Sequence, residues 1–216
     1  MVKLITAEEA VSMVDEGSSI LFGGFLAVGA TENLIDALVE KGTKNLHLAA
    51  ICTDYPDRGC GKLIANKQVK SVQSSHIGTN KATQEQYNTG ELEVEFIPQG
   101  TFMERIRAAG AGLGGILTPT GLGTMVEKGK DIITVKGDKF LLEEPIFGDF
   151  AFIRAKKADK FGNLVFEKTA RNSNPIMITA AKTTFVEVDE ILEVGEISPE
   201  DVHSPGIFTD YLIVHK

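Results

Sequence analysis

The feature that most constrains this 216-residue chain is an alternation: short unbroken apolar runs end in small residues, and each is followed by a segment with apolar residues at helical spacing. Ile20, Leu21 and Phe22 run directly into Gly23 and Gly24; Leu34, Ile35, Leu38 and Val39 then share one helical face, and Gly42 closes that helix. An unbroken apolar run reads as a strand covered on both faces, which is the situation of a parallel sheet between helices. The pattern recurs as a strand over 46 to 51, a loop from Cys52 to Gly59, a short helix near 61 to 66, a strand over 69 to 74, a helix over 82 to 89 and a strand over 92 to 97. The fold class expected is α/β, a mostly parallel open sheet flanked by helices.

Local signals set further boundaries. Thr6 and Glu9 have capping-box spacing, predicting a first helix over 7 to 16 that Gly17 ends. Thr101 and Glu104 have the same spacing and predict a helix that carries Ile106 and runs to Gly110 and Gly112, with Pro98, Gln99 and Gly100 ahead of it. Beyond Gly121, Ile132–Val135 and Phe140–Leu142 flank Lys136, Gly137, Asp138 and Lys139, the pattern of an additional β-hairpin. Strands are expected over 150 to 154, 164 to 166 and 184 to 188. No Pro- or Ser-rich linker and no internal repeat interrupts the chain, so residues 1–216 read as a single domain.

Charge and composition remove several function classes. Twenty-two Lys and Arg against 30 Asp and Glu give a net charge of -8, which argues against a nucleic-acid partner gripped by a broad basic face. The chain begins without a cationic segment followed by an apolar run and contains no stretch of about 18 apolar residues, so a cytoplasmic protein without membrane attachment is expected. Cys52 and Cys60 fit neither a CxxC redox pair nor a zinc knuckle, and His47, His76, His203 and His215 never sit four apart beside a Glu; no metal site is expected.

Two glycine-rich stretches are candidates for ligand contact. Residues 110 to 115, GAGLGG, have the spacing of a dinucleotide fingerprint but follow a helix, and Pro119 prevents a regular helix from starting after them. They read as a loop over a cleft or as a structural turn. Gly23, Gly24 and Gly29 lie where a strand ends and before a helix that begins near Thr31, the position at which ligands gather in open α/β sheets. Glycine there permits close backbone approach and leaves amides free for an anion; the same spacing also suits a tight turn with Phe25 packed into the core.

Read together, EGSSILFGGFLAVGAT at 16 to 31, SSHIGTN at 74 to 80, PQGT at 98 to 101, RAAGAGLGGILTPTGLGT at 107 to 124, ARNSNP at 170 to 175 and SPG at 204 to 206 resemble the alpha subunit of the family I CoA-transferases. The resemblance spans essentially the whole chain and is closest to the bacterial enzymes that move CoA among acetate, acetoacetate and butyrate. The chain departs from the family signature at Glu16, where Asp or Asn is usual, and at Thr31, where Pro is usual.

The resemblance implies a mechanism. A glutamate carboxylate attacks an acyl-CoA, a mixed anhydride and then a glutamyl-CoA thioester form, and CoA passes to a second carboxylic acid. In the split enzymes that glutamate belongs to the beta subunit, in a Glu-Asn-Gly context, and no such tripeptide occurs here; Glu32-Asn33-Leu34 is the nearest string. The implied assembly is therefore a heterodimer or heterotetramer with a beta subunit. Acyl-CoA and carboxylic acids are the implied substrates, with no tightly bound cofactor. By the same resemblance Gly23, Gly24, Phe25, Leu26, Ala27, Val28 and Gly29 form the CoA-binding loop, while Gln99 and Gly100 stand beside the catalytic glutamate. Gln99 can donate and accept hydrogen bonds, which suits it to holding a carboxylate or an acyl carbonyl, and it is equally suited to capping the following helix. Thr53 and Asp54 end the second strand where relatives often have Asn-Asp or Asn-Asn; Asp54 would repel an anionic acid and reads as a turn former at least as readily as a catalytic group. Asn172 and Asn174 match a family string without an evident chemical role and suit a turn or helix entry. A sugar-phosphate isomerase-like or ligand-sensing domain, and a non-catalytic stabilising subunit, remain open on the same architecture.

Overall fold

A computed structural model describes residues 1–215. In chain order the strands are β1 Lys3–Leu4, β2 Ser19–Phe22, β3 Leu46–Ala50, β4 Val69–Ser74, β5 Glu93–Phe96, β6 Ile116–Thr118, β7 Ile132–Val135, β8 Asp138–Glu143, β9 Gly148–Asp159, β10 Leu164–Val165, β11 Ala181–Leu192 and β12 Tyr211–Val214. The helices are α1 Ala7–Ser12, α2 Glu32–Lys41, α3 Gly61–Ala65, α4 Lys81–Thr89, α5 Gln99–Gly110 and α6 Asn174–Met177. The main sheet runs β1-β12-β11-β9-β2-β3-β4-β5. Every pair along that path is parallel, and only the short β10 joins β9 antiparallel. A separate antiparallel sheet, β6-β8-β7, completes the molecule.

Strand alternation divides the core between the two faces. Ile20 and Phe22 of β2 and Phe152 of β9 meet Leu34, Ile35 and Leu38 of α2 and Leu63 and Ile64 of α3 on one side. Leu21, Ala151 and Ile153 meet Phe102 and Ile106 of α5 and Met177 of α6 on the other. This two-sided cover is why the strands appear in the sequence as continuous apolar runs rather than as alternating ones. The Phe22 and Phe152 rings pack edge to face at 5.2 Å across the β2–β9 boundary, tying together strands 130 residues apart in sequence.

Several expected boundaries move. The capping box at Thr6 forms, with Thr6 N donating to Glu9 Oε2 at 2.8 Å and Glu9 N to Thr6 Oγ1 at 3.1 Å. Yet α1 stops at Ser12 rather than 16, because Met13 and Val14 turn back through short-range bonds to the Ala10 and Val11 carbonyls. The expected Thr101–Glu104 box does not form. Pro98, with φ at −52°, is the N-cap, α5 begins at Gln99, Thr101 is buried within its first turn, and Glu104 is bound to Arg107 at 3.1 Å. Proline's fixed φ starts the helix earlier than the Thr-x-x-Glu spacing suggests. The hairpin of β7 and β8 is present, its turn made by Lys136 and Gly137 at φ 53° and 96°, and β6 joins it as an unexpected third strand. The glycines at 110 to 115 connect α5 to β6. β9 and β11 are each 12 residues long, far beyond the expected cores at 150 to 154 and 184 to 188.

Candidate active site

Parallel strands carry their C-terminal ends to one edge of the sheet, and there β2, β3, β4 and β5 deliver the loops beginning at Gly23, Ile51, Ser75 and Ile97 side by side. The loop after β2 is the most constrained. Phe25 and Val28 exchange backbone hydrogen bonds at 3.1 and 3.0 Å, closing a two-residue turn in which Leu26 and Ala27 both have positive φ, 51° and 65°. Such a turn normally takes Asn or Gly at these positions, since a Cβ is strained there. Phe25 and Val28 are 43% and 48% exposed, so Phe25 is displayed at the surface instead of plugging the core.

Two other segments hold the loop. From one side, Gly24 N donates to Asn172 Oδ1 and Ser173 Oγ, each at 3.2 Å; Asn172 Nδ2 donates to Val28 O at 2.9 Å and Asn174 Nδ2 to Gly29 O at 3.1 Å. Asn174 is fully buried, and its Oδ1 accepts from Arg154 N of β9 at 3.0 Å. The family string whose role the sequence does not disclose is thus a clamp on the glycine loop. Gly23 is required by that clamp: a Cβ there would stand 1.8 Å from Asn174 Oδ1.

From the other side, Leu26 N donates to Cys52 Sγ at 3.3 Å and Ala27 N to Asp54 Oδ1 at 2.9 Å. Asp54 is itself left-handed, at φ 47°, and 5% exposed; its Oδ2 accepts from Cys60 N at 3.1 Å. Burial pushes its carboxyl upward from the ordinary value against those hydrogen bonds. Burial, and then the Asp54 charge, raise the Cys52 thiol to about 11, and burial raises Cys60 in the same direction. Both cysteines are therefore held as thiols, which suits them to packing and weak hydrogen bonding and not to nucleophilic attack.

The loops after β3 and β4 are stitched in turn. Thr53 N donates to His76 O at 3.2 Å, Asn80 Nδ2 to Thr53 O at 2.8 Å and Thr79 Oγ1 to Asp54 O at 2.7 Å. Gln99 and Gly100 open α5 on the solvent side, and nothing crowds Gly100. Ser75 Oγ lies 2.7 Å from Ile51 O and 2.6 Å from Gln99 Oε1. Its one proton serves a single acceptor at a time; when it donates to Gln99 Oε1, the amide Nε2 keeps its own donor capacity. Gln99 does not cap the helix through its side chain, since α5 has no side-chain cap. Nor is Gln99 adjacent to the glycine loop: β5 lies three strand spacings from β2, about 14 Å. Gly23–Gly29 is brought together with 52–60 and 172–174, while Gln99 and Gly100 occupy the same edge further along.

A cleft of about 250 Å³ adjoins the loop, lined by Ala27, Gly29, Arg154, Lys156, Asp189 and His215 among others. Its two cations are paired with Asp189, Lys156 at 3.0 Å. A second cleft, about 600 Å³, spreads over Ser19, His47, Gln73, Glu95 and Phe147 and touches none of residues 23–29 or 99. Among the described residues no group of His, Cys, Asp and Glu side chains is arranged to hold a metal ion, and no helix is long and apolar enough to cross a membrane.

An open parallel sheet with a clamped glycine loop at its carboxyl edge is the architecture of α/β proteins that gather ligands at their strand ends. Here the amides from Gly23 to Val28 are all bonded within the chain, so the expectation that the glycines leave them free for an anion is not met. The coenzyme A transferase family model matches residues 4–215, and the chain belongs to that family. It is 46% identical to the acetate CoA-transferase subunit alpha of Escherichia coli K12 over 214 residues, covering 99% of this chain and 97% of the relative. It is 44% identical to the acetoacetyl-CoA:acetate/butyrate CoA transferase alpha subunit of Clostridium acetobutylicum, covering 98% and 97%. An acyl-CoA transferase of Escherichia coli O157:H7, solved as a thioester complex with CoA, shares the fold with a TM-score of 0.91 at 22% identity; 99% of this chain matches 47% of that one.

Proposed function

We propose that this chain is the alpha subunit of a short-chain acyl-CoA:carboxylate CoA-transferase of the acetate, acetoacetate and butyrate type, active with a beta subunit in a heterodimer or heterotetramer. The observation that carries the reading is the near full-length similarity to two alpha subunits named for those acids, in a chain without the Glu-Asn-Gly context of the nucleophile. The loop Gly23–Gly29 receives acyl-CoA as a substrate, and no tightly bound cofactor is needed. The beta subunit supplies the glutamate, and Gln99 and Gly100 lie beside it. A cytoplasmic setting accords with two buried free thiols. Reconstitution with a beta subunit, followed by assay of CoA exchange between acetyl-CoA and acetoacetate or butyrate, tests this reading; an assembled pair that exchanges none of these contradicts it.

Gln99→Ala in the reconstituted pair is expected to lower kcat/KM by the equivalent of about 2 to 4 kcal/mol, the cost of one donor to a charge that changes during acyl transfer. The substitution leaves α5 without a lost cap. Thermal melts of the pair should therefore stay close to those of the unsubstituted complex. A variant that loses stability but turns over normally per assembled complex assigns Gln99 to the scaffold.

A further inference from the structure

We propose that Asp54 is a positioning residue: its buried carboxylate braces the left-handed Leu26–Ala27 turn and so sets the shape in which the glycine loop meets its ligand. The proposal rests on the reading of Gly23–Gly29 as the acyl-CoA loop, and its structural half can be tested without that reading.

Three observations carry it. First, the turn is built against its own sequence, since two side chains with Cβ atoms occupy a pair of positions that favour Gly or Asn. A backbone of this kind persists only where its surroundings over-determine it. Second, the amides of those same two residues are taken by the neighbouring loop, Leu26 N by Cys52 Sγ at 3.3 Å and Ala27 N by Asp54 Oδ1 at 2.9 Å. Cys52 Sγ lies 3.3 Å from Asp54 Oδ1 and, as a thiol, donates to it, so both amides end on one carboxylate, one directly and one through sulfur. Third, Asp54 is buried without an ion pair to any described residue and is neutralised by no cation. An unpaired buried carboxylate is unfavourable for folding, and here its hydrogen bonds go to the Ala27 amide, the Cys60 amide and the Cys52 thiol. The chain also makes room for it: Gly59, at φ 63°, would place a Cβ 2.1 Å from Asp54 Oδ2.

A general structural role and a brace on one turn make different predictions. If Asp54 acts by holding strained residues left-handed, a residue that accepts that conformation freely lessens the need for it. In the reconstituted alpha–beta complex, Asp54→Ala is expected to lower kcat/KM about 100-fold, the scale of a misplacement near 1 Å. The same change made beside Ala27→Gly should cost about tenfold less than it does alone, a coupling read from the double-mutant cycle. Amide exchange on the same complexes supplies the second readout. In Asp54→Ala the Ala27 amide should exchange at least about tenfold faster while the amides of β2 and β3 keep their protection. Asp54→Asn, which retains the volume and one acceptor, should fall between wild type and Asp54→Ala if the alanine variant assembles poorly. Equal costs in the two backgrounds, or an unchanged Ala27 exchange rate, overturn the brace. A wild-type complex that turns over no acyl-CoA counts against the functional reading alone, and the exchange measurement then still decides the structural claim.

Discussion

Incubated with acetyl-CoA and either acetoacetate or butyrate, the rigorously purified chain alone is expected to transfer no CoA, whereas the pair with its beta subunit turns over. The expectation begins with sequence, because the Glu-Asn-Gly context of the nucleophile is missing. The structure strengthens it. Of the carboxylates that bond the loops around Gly23–Gly29, Asp54 is buried and held by two backbone amides. Glu32 accepts from Gly59 N at 2.8 Å and pairs with Lys62 at 2.7 Å. A nucleophile must reach the acyl carbon with a free oxygen, and these two are committed to shaping loops. Assay by loss of acetyl-CoA checks the prediction, and exchange by the pure chain would sink it.

The second large effect concerns Gly23. Replacing it with valine places a Cβ where Asn174 Oδ1 now stands, 1.8 Å away, and Asn174 is fully buried with bonds to Arg154 N, Gly29 O and Ala170 O. The asparagine cannot move aside without releasing the far end of the loop. Overpacking of this kind costs about 1 to 3 kcal/mol of stability, and a displaced loop costs about 100-fold or more in kcat/KM of the reconstituted pair. Asn174→Ala, which leaves Gly23 untouched and removes the clamp, should reproduce the kinetic loss without the overpacking. Kinetics per assembled complex together with thermal melts separate the two contributions, and wild-type turnover by an assembled Gly23→Val pair contradicts the role given to the loop.

The parallel sheet was legible because its central strands are buried on both faces: Ile20, Leu21 and Phe22 leave no alternative to a covered strand. Edge and accessory strands were not. β1 has two exposed residues, and β6 is three residues bounded by glycines and Pro119, so neither carries a periodic signal. Thr101 and Glu104 misled because capping-box spacing is local, whereas Pro98 and the burial of Thr101 decided where α5 starts. The site divides in the same way. The glycines after β2 announce a loop that approaches something closely, but their partners lie 144 to 149 residues away in Asn172, Ser173 and Asn174, and nothing in local sequence links them. Asp54 looked like a turn former; its bond to Ala27 emerges only when β2 and β3 lie side by side.

The central claim is that this chain forms one side of a CoA-transfer site whose covalent chemistry takes place on its partner. Mass spectrometry of the reconstituted pair after brief exposure to acyl-CoA, with both chains analysed under conditions that preserve thioesters, tests it most directly. The account predicts a CoA adduct on a glutamate of the beta subunit and none on this chain; an adduct on any residue of this chain would contradict it.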